Sequence, residues 1–139
     1  MAMAASATAS FLEETGRLEP CPETPNCVST QAERESQRMP PIRFEGDPTA
    51  ARDLLVEVLE RRPRVRIEAV GERSVVTVFT TRLLRFEDDV VFLFDPGERV
   101  IHFRSASRVG RSDLGANRER MERVTALFLE AQSREGSDR

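Results

Sequence analysis

Four apolar segments between residues 64 and 105, joined by short turn sequences, constrain the fold of this chain more than any other feature. The first segment, Val65 to Ala69, alternates apolar with charged residues, which is typical of a strand that is buried on one face. The turn signal Asp95-Pro-Gly-Glu98 shows how short the connections are, and short connections produce hairpins. We therefore predict a four-stranded antiparallel meander, whose remaining strands are Ser74 to Phe86, Val90 to Phe94 and Val100 to Ser105.

Amphipathic helices are predicted on both sides of these strands. Asp47-Pro48 suits a helix start, because Asp accepts bonds from free backbone N–H groups and Pro fits the first turn. The second helix is expected to begin near Ser112 or Asp113, and its apolar residues recur at helical spacing. The order helix, four strands, helix predicts an α+β domain in which two helices can cover one face of the sheet, and a curled sheet that grips the last helix is equally compatible.

The flanking sequences differ from this core in composition. Residues 1–17 are small and polar and predict a flexible, frayed or loosely helical tail. Residues 18–46 hold five of the eight prolines without a clear period, which predicts an extended arm that carries both cysteines. Residues 134–139 predict a second flexible tail. We therefore expect a single domain at residues 18–133, with its helix–sheet–helix core at residues 47–133.

Composition restricts the function classes. The 139-residue chain has a formal net charge of −3 and neither Tyr nor Trp, so neither charge nor base stacking argues for nucleic acid. All 21 basic residues are arginine, which excludes Schiff-base chemistry and a lysine general base. No run approaches the ~20 apolar residues of a membrane span. The N-terminus makes a poor secretory signal. We expect a cytoplasmic protein, or an exported or lumenal one if a leader is missing.

Polar residues concentrate where the last strand leads into the last helix. The run Arg104 to Arg118 carries four arginines, three serines, an aspartate and an asparagine, which is more than such a connection needs. Arginines also interrupt the second strand, and guanidinium groups bind carboxylate or phosphate well. The predicted ligand-binding residues are Arg82, Arg85, Arg104, Ser105, Ser107, Arg108 and Asn117, with Asp88, Asp89 and Asp113 orienting the arginines.

The same residues admit two other interpretations. Arginines paired with these aspartates would form a purely structural network, because a buried guanidinium is costly unless it is paired. His102 with an aspartate would form the acid–base pair of a hydrolase-like enzyme acting on a small anionic substrate. We favour non-catalytic binding of a small anionic ligand or a protein partner, with no catalytic residue, cofactor or metal.

The two cysteines, Cys21 and Cys27, enclose five residues. Together with the single histidine they provide too few ligands for a structural zinc site. In an oxidising compartment we predict that they form a disulfide. In a reducing compartment they would remain free thiols or a redox couple.

Four ordered motifs resemble a known family. Pro20-Cys-Pro-Glu-Thr-Pro-Asn-Cys-Val-Ser-Thr-Gln31 is similar to the PCP-x-x-PNCVSSQ opening of domain of unknown function family 1499. Thr30 stands where that family has Ser, and Arg111 where an aromatic residue is expected. The resemblance covers residues 18–130, and its other motifs are Thr81 to Val90, Leu93 to Pro96 and Arg104 to Arg118.

The resemblance implies a bacterial and plastid distribution and no established activity. It also implies that many relatives are exported or membrane-tethered, which favours pairing of Cys21 with Cys27. Because the motifs that carry it are the cysteine arm and the Arg/Ser/Asp run, the resemblance favours treating these two segments as one site.

Overall fold

The computed structural model describes residues 2–109 and 115–137. Over these residues the chain forms three α-helices around a six-stranded sheet, and every strand pairing in the sheet is antiparallel. The elements in chain order are α1 (Ala2–Thr15), β1 (Cys27–Ser29), a 3₁₀ turn (Glu35–Gln37), β2 (Ile42–Arg43), α2 (Pro48–Glu60), β3 (Val65–Val70), β4 (Ser74–Thr80), β5 (Glu87–Asp95), β6 (Val100–Ser107) and α3 (Ala116–Ser137).

The predicted meander is confirmed, because β3, β4, β5 and β6 are neighbours in chain order. The predicted strand number is wrong, since the sheet has six strands and not four. The two extra strands, β1 and β2, come from the proline-rich arm and pair with β6, with Val28 opposite Ser105 and Ile42 opposite Ile101. They pair with backbone groups that β6 would otherwise leave unsatisfied at the edge of the sheet.

Helices α2 and α3 cover one face of the sheet, as predicted. Asp47 caps α2, with its Oδ1 accepting from the Thr49 N–H at 3.4 Å. Leu55 and Leu59 of α2 and Phe128 of α3 are fully buried in the main core, against inward residues of the central strands. The predicted start of the last helix at Ser112 or Asp113 lies outside the described residues.

A third helix covers the opposite face, so the prediction of two helices is wrong. Helix α1 occupies the segment for which the sequence predicts a frayed or loosely helical tail. Its Ala5 and Ala9 pack in one cluster with Val76, and its Leu12 packs in another with Leu93. The small alanine side chains let α1 lie close to the apolar face of the sheet. Because alanines give only a weak hydrophobic pattern, the sequence does not reveal this contact.

The second predicted strand is shorter than expected. β4 ends at Thr80, and the rest of the apolar run forms a loop to β5. The Thr81 N–H donates to the Phe86 carbonyl at 2.8 Å, and Arg85 adopts a left-handed conformation with φ of 58°. Arg82 and Arg85 therefore lie outside the sheet. None of the helices that the structure describes is both long and apolar enough to cross a membrane.

Candidate functional site

The predicted site residues of β6 divide between the two faces of the sheet. Arg104 and Ser105 are consecutive in a strand, so their side chains point in opposite directions. Ser105 lies with the core on the α2/α3 face, where it contacts Asn117 of α3. Arg104 lines a cavity on the α1 face. The structure therefore does not gather the predicted residues into one site.

On the α3 face, a buried polar cluster is formed by Asn26, Asp88, Ser105, Asn117 and Arg120. Ser105 Oγ donates to Asn117 Oδ1 at 2.5 Å, and Arg120 Nη1 donates to the same oxygen at 2.7 Å. Arg120 Nη2 donates to Asp88 Oδ2 at 2.5 Å, and Asn117 Nδ2 donates to the Asn26 carbonyl at 3.0 Å. These bonds fasten α3 to β5, β6 and the arm.

Arg120, the centre of this cluster, was missed by sequence analysis. It lies 5.3 Å from the centroid of the Phe79 ring, and its side chain is only 12% exposed. Ser107 borders the cluster and accepts from Asn117 Nδ2 at 3.3 Å. Asp88 Oδ1 is buried without a hydrogen-bond partner among the residues that the structure describes. Asp113, predicted to orient the arginines, lies outside those residues.

On the α1 face, Arg108 is paired with two carboxylates. Its Nε and Nη2 donate to Asp89 at 3.1 and 3.0 Å, and its Nη1 donates to Glu87 at 2.5 Å. The hydrogen bonds to Asp89 are the main reason why the pKa of Arg108 is raised. Asp89 therefore accepts two of the hydrogen bonds that Arg108 donates, and these bonds fix the orientation of its guanidinium.

Arg104, the other predicted arginine on this face, has no such partner. Its Nη2 donates to the Pro20 carbonyl at 3.3 Å, and its Nε is buried with no hydrogen-bond partner among residues 2–109 and 115–137. Burial lowers the pKa of Arg104, although the nearby charges of Glu19 and Asp89 act in the opposite direction. Arg104 is thus a half-buried cation without a contacting carboxylate in the described structure.

Arg104 lines a cavity of about 640 Å³ between α1 and the sheet. Its polar lining consists of Arg104 and Arg108 together with Thr8, Glu19 and Asp89. The apolar lining comes from α1 and from the middle strands, and comprises Ala7, Phe11, Leu12, Val76 and Val91. The cavity therefore combines an incompletely satisfied guanidinium with an apolar wall.

The two loop arginines do not join this cavity. Arg82 lines a separate groove of about 880 Å³ between the β3–β4 end of the sheet and α3. Arg85 is exposed in the loop that follows β4. Of the predicted ligand-binding residues, only Arg104 and Arg108 line the cavity under α1.

His102 lies on the α1 face of β6 beside two carboxylates. Its Nδ1 is 2.9 Å from the hydroxyl oxygen of Thr30, and burial lowers its pKa despite the nearby charges of Asp95 and Glu98. Possible metal-binding atoms of His102, Asp95 and Glu98 lie within 4.8 Å of one another, so these three are the described residues that could hold a divalent cation. Sequence analysis treated Asp95 and Glu98 only as turn residues.

Hairpin register would have located this cluster. His102 pairs with Leu93, so in the antiparallel ladder it shares a sheet face with Asp95, two residues further along β5. His102 does not line the cavity at Arg104. It therefore belongs to a second group of polar residues on the same face.

Cys21 and Cys27 form a disulfide, with their Cα atoms 5.7 Å apart, which confirms the prediction for the oxidised protein. Cys27 also pairs with Ala106 in the ladder between β1 and β6. The disulfide therefore holds the residues before β1 close to β6, where the Pro20 carbonyl meets Arg104.

A protein family matches most of the chain. No curated protein matches the chain. A family described as "Protein of unknown function (DUF1499)" matches residues 17–128, a span that runs from the start of the cysteine arm into α3. The chain belongs to the DUF1499 family.

Proposed function

We propose that this domain is a non-catalytic binding module for an anionic group, and that Arg104 binds that group in the cavity under α1. The observation that carries the proposal is the buried Arg104 Nε, which has no hydrogen-bond partner in the described part of the chain. A guanidinium binds carboxylate or phosphate through two parallel hydrogen bonds. An anion at Arg104 would supply the missing acceptor.

The apolar wall narrows the class of ligand. Phe11, Leu12, Val76 and Val91 line the same cavity as Arg104. A small inorganic anion would leave this wall in contact with water, whereas an amphiphile would cover it and gain free energy from burial. We therefore expect a carboxylate or phosphate head at Arg104 with an apolar tail between α1 and the sheet.

The polar cluster on the other face supports a structural role. The side chains of Ser105 and Asn117 are fully buried and hydrogen-bonded within the protein. They have little capacity left for a ligand, because breaking these bonds would leave buried polar groups unsatisfied. The structural interpretation therefore accounts for Ser105, Ser107, Asn117 and Asp88, and the ligand proposal rests on Arg104.

A second candidate function is hydrolysis of a small anionic substrate. It is favoured by one observation, the proximity of Asp95 and Glu98 to His102. An acid–base pair needs a carboxylate and an imidazole within reach of the substrate. Binding at Arg104 does not involve His102, so His102→Gln should leave ligand affinity unchanged if the binding proposal is correct.

The binding proposal is tested by isothermal titration calorimetry with decanoate and decyl phosphate as probes. Decanol, which lacks the anionic head, and acetate, which lacks the apolar tail, serve as ligand controls. We expect Arg104→Met to weaken binding at least about tenfold, as is typical when a charge-assisted hydrogen bond is lost. Arg61→Met removes an exposed arginine that directly follows α2, and this variant should bind like the unchanged protein. Absence of binding by either probe, or equal affinity in Arg104→Met, would refute the proposal.

A further inference from the structure

The loop between β4 and β5 exposes its apolar side chains to solvent. Leu83 is 87% exposed, Leu84 is 70% exposed and Phe86 is 38% exposed. The two leucines are more exposed than any other large apolar side chain of residues 5–109 and 115–136. Isolated exposed apolar residues are common, but adjacent ones at the tip of a hairpin indicate an interaction surface.

The backbone holds these leucines in place. The Thr81 N–H donates to the Phe86 carbonyl at 2.8 Å, and the Phe86 N–H donates to Thr81 Oγ1 at 2.9 Å. Arg85 closes the loop with φ of 58°, a conformation that is unfavourable for a residue with a long side chain. The loop is therefore fixed at its base while its apolar tip projects away from the core.

Unpaired arginines surround this tip. Arg82 and Arg85 flank the leucines, and Arg62 and Arg64 line the adjoining groove together with Arg82. None of these four arginines has an ion pair with a carboxylate in the described part of the chain. The carboxylates that line the groove all belong to α3, so the side formed by the loop and the α2–β3 connection is cationic.

We propose that the loop Thr81–Phe86 docks on an anionic membrane surface. Leu83 and Leu84 insert into the interface between the lipid head groups and the acyl chains, while Arg82 and Arg85 bind lipid phosphates. An apolar tip with a cationic rim matches both layers of such an interface, and each arginine near it adds electrostatic attraction. This inference does not rest on ligand binding at Arg104, because neither leucine lines that cavity.

Vesicle flotation tests the proposal directly. We expect the protein to bind vesicles of phosphatidylcholine mixed with phosphatidylserine, to bind pure phosphatidylcholine poorly, and to be released by salt. The double variant Leu83→Ser/Leu84→Ser should bind at least about tenfold more weakly, because most of the inserted apolar area is lost. Arg82→Gln/Arg85→Gln should also weaken binding, whereas Arg34→Gln/Arg134→Gln, which removes two exposed, ion-paired arginines of the arm and of α3, should not.

A fluorescence experiment separates insertion from simple charge attraction. The chain has no Trp, so Leu83→Trp introduces a single reporter at the tip, and Leu129→Trp places a matched reporter at a 41% exposed position of α3. Anionic vesicles should shift the emission of the Leu83→Trp protein to shorter wavelength and leave that of Leu129→Trp unchanged. The proposal is wrong if the unaltered protein does not bind anionic vesicles, which is the result expected for a loop that docks on a protein. It is also wrong if the emission of both reporters shifts equally.

Discussion

Arg120 of α3 donates to Asp88 of β5 across 2.5 Å in the protein interior, where their side chains are 12% and 3% exposed. The same guanidinium donates from Nη1 to Asn117 at 2.7 Å. Asp88 Oδ1 has no hydrogen-bond partner within the described structure, so its carboxylate depends on Arg120 for compensation. This pair therefore ties the last helix to the start of β5, the middle strand of the sheet.

The first prediction concerns this pair. Arg120→Met should lower the free energy of unfolding by about 3–5 kcal/mol, because removing one partner leaves the buried Asp88 charge uncompensated. Urea unfolding monitored by circular dichroism measures this loss. Arg134→Met removes an exposed i,i+4 pair from the same helix and should cost less than about 1 kcal/mol. A loss below about 1 kcal/mol for Arg120→Met would show that Asp88 is compensated by other groups.

The second prediction separates a ligand site from a structural network on the α1 face. Arg104→Met and Arg108→Met should each lower the free energy of unfolding by less than about 1 kcal/mol without ligand. Arg104 contacts no carboxylate among the described residues, so removing it strands no negative charge. Arg108 is exposed, so water screens its ion pairs. Urea unfolding provides the measurement. Losses above about 3 kcal/mol for both variants would favour the structural network instead.

Alternation and turn chemistry predict the part of the fold that is strongly periodic. The meander of β3 to β6 and the capped start of α2 at Asp47 both follow from local sequence. β1 and β2 are only three and two residues long, too short for alternation to be visible. Helix α1 buries alanines, whose weak hydrophobic contrast resembles that of a flexible tail.

The site shows a similar division. Strand alternation places Arg104 and Ser105 on opposite faces, so the separation of the polar run into two groups could be predicted from β6 alone. Arg120 could not be found in this way. Its partner Asp88 is 32 residues away, and only the packing of α3 on the sheet brings the two together. In the sequence Arg120 resembles any solvent-facing helix arginine.

The third prediction concerns the disulfide between Cys21 and Cys27. Cys21→Ser/Cys27→Ser should lower the free energy of unfolding by about 2 kcal/mol on the chain-entropy model of so short a loop. Urea unfolding of the oxidised and reduced protein checks the value, and the variant itself should not respond to reductant. Native oxidised protein should take up no thiol label, since both cysteines are bonded. Rapid labelling without reductant would contradict the structure.

The fourth prediction is a pH dependence of stability that arises from His102. Burial lowers the pKa of His102 below its ordinary value of 6.5. As the pH falls through that value, the unfolded chain takes up a proton that the folded protein does not yet bind. Proton uptake by the unfolded state lowers the free energy of unfolding as the pH falls. The loss therefore begins near pH 6.5 and ends below the lower pKa of the folded protein, where both states are protonated.

His102→Gln removes this contribution. Urea unfolding of both proteins between about pH 5 and pH 7.5 should show a smaller decline for the variant. Asp95 and Glu98, the carboxylates that face His102, are present in both proteins, so the difference between the two curves isolates the imidazole. The variant also loses the hydrogen bond between His102 and Thr30. That loss lowers the free energy of unfolding equally at every pH, because a hydroxyl does not titrate in this range. Parallel curves would show that His102 titrates alike in the folded and unfolded states. A steeper decline in the variant would mean that Asp95 and Glu98 raise the pKa of His102 in the unaltered protein, because their attraction exceeds the effect of burial.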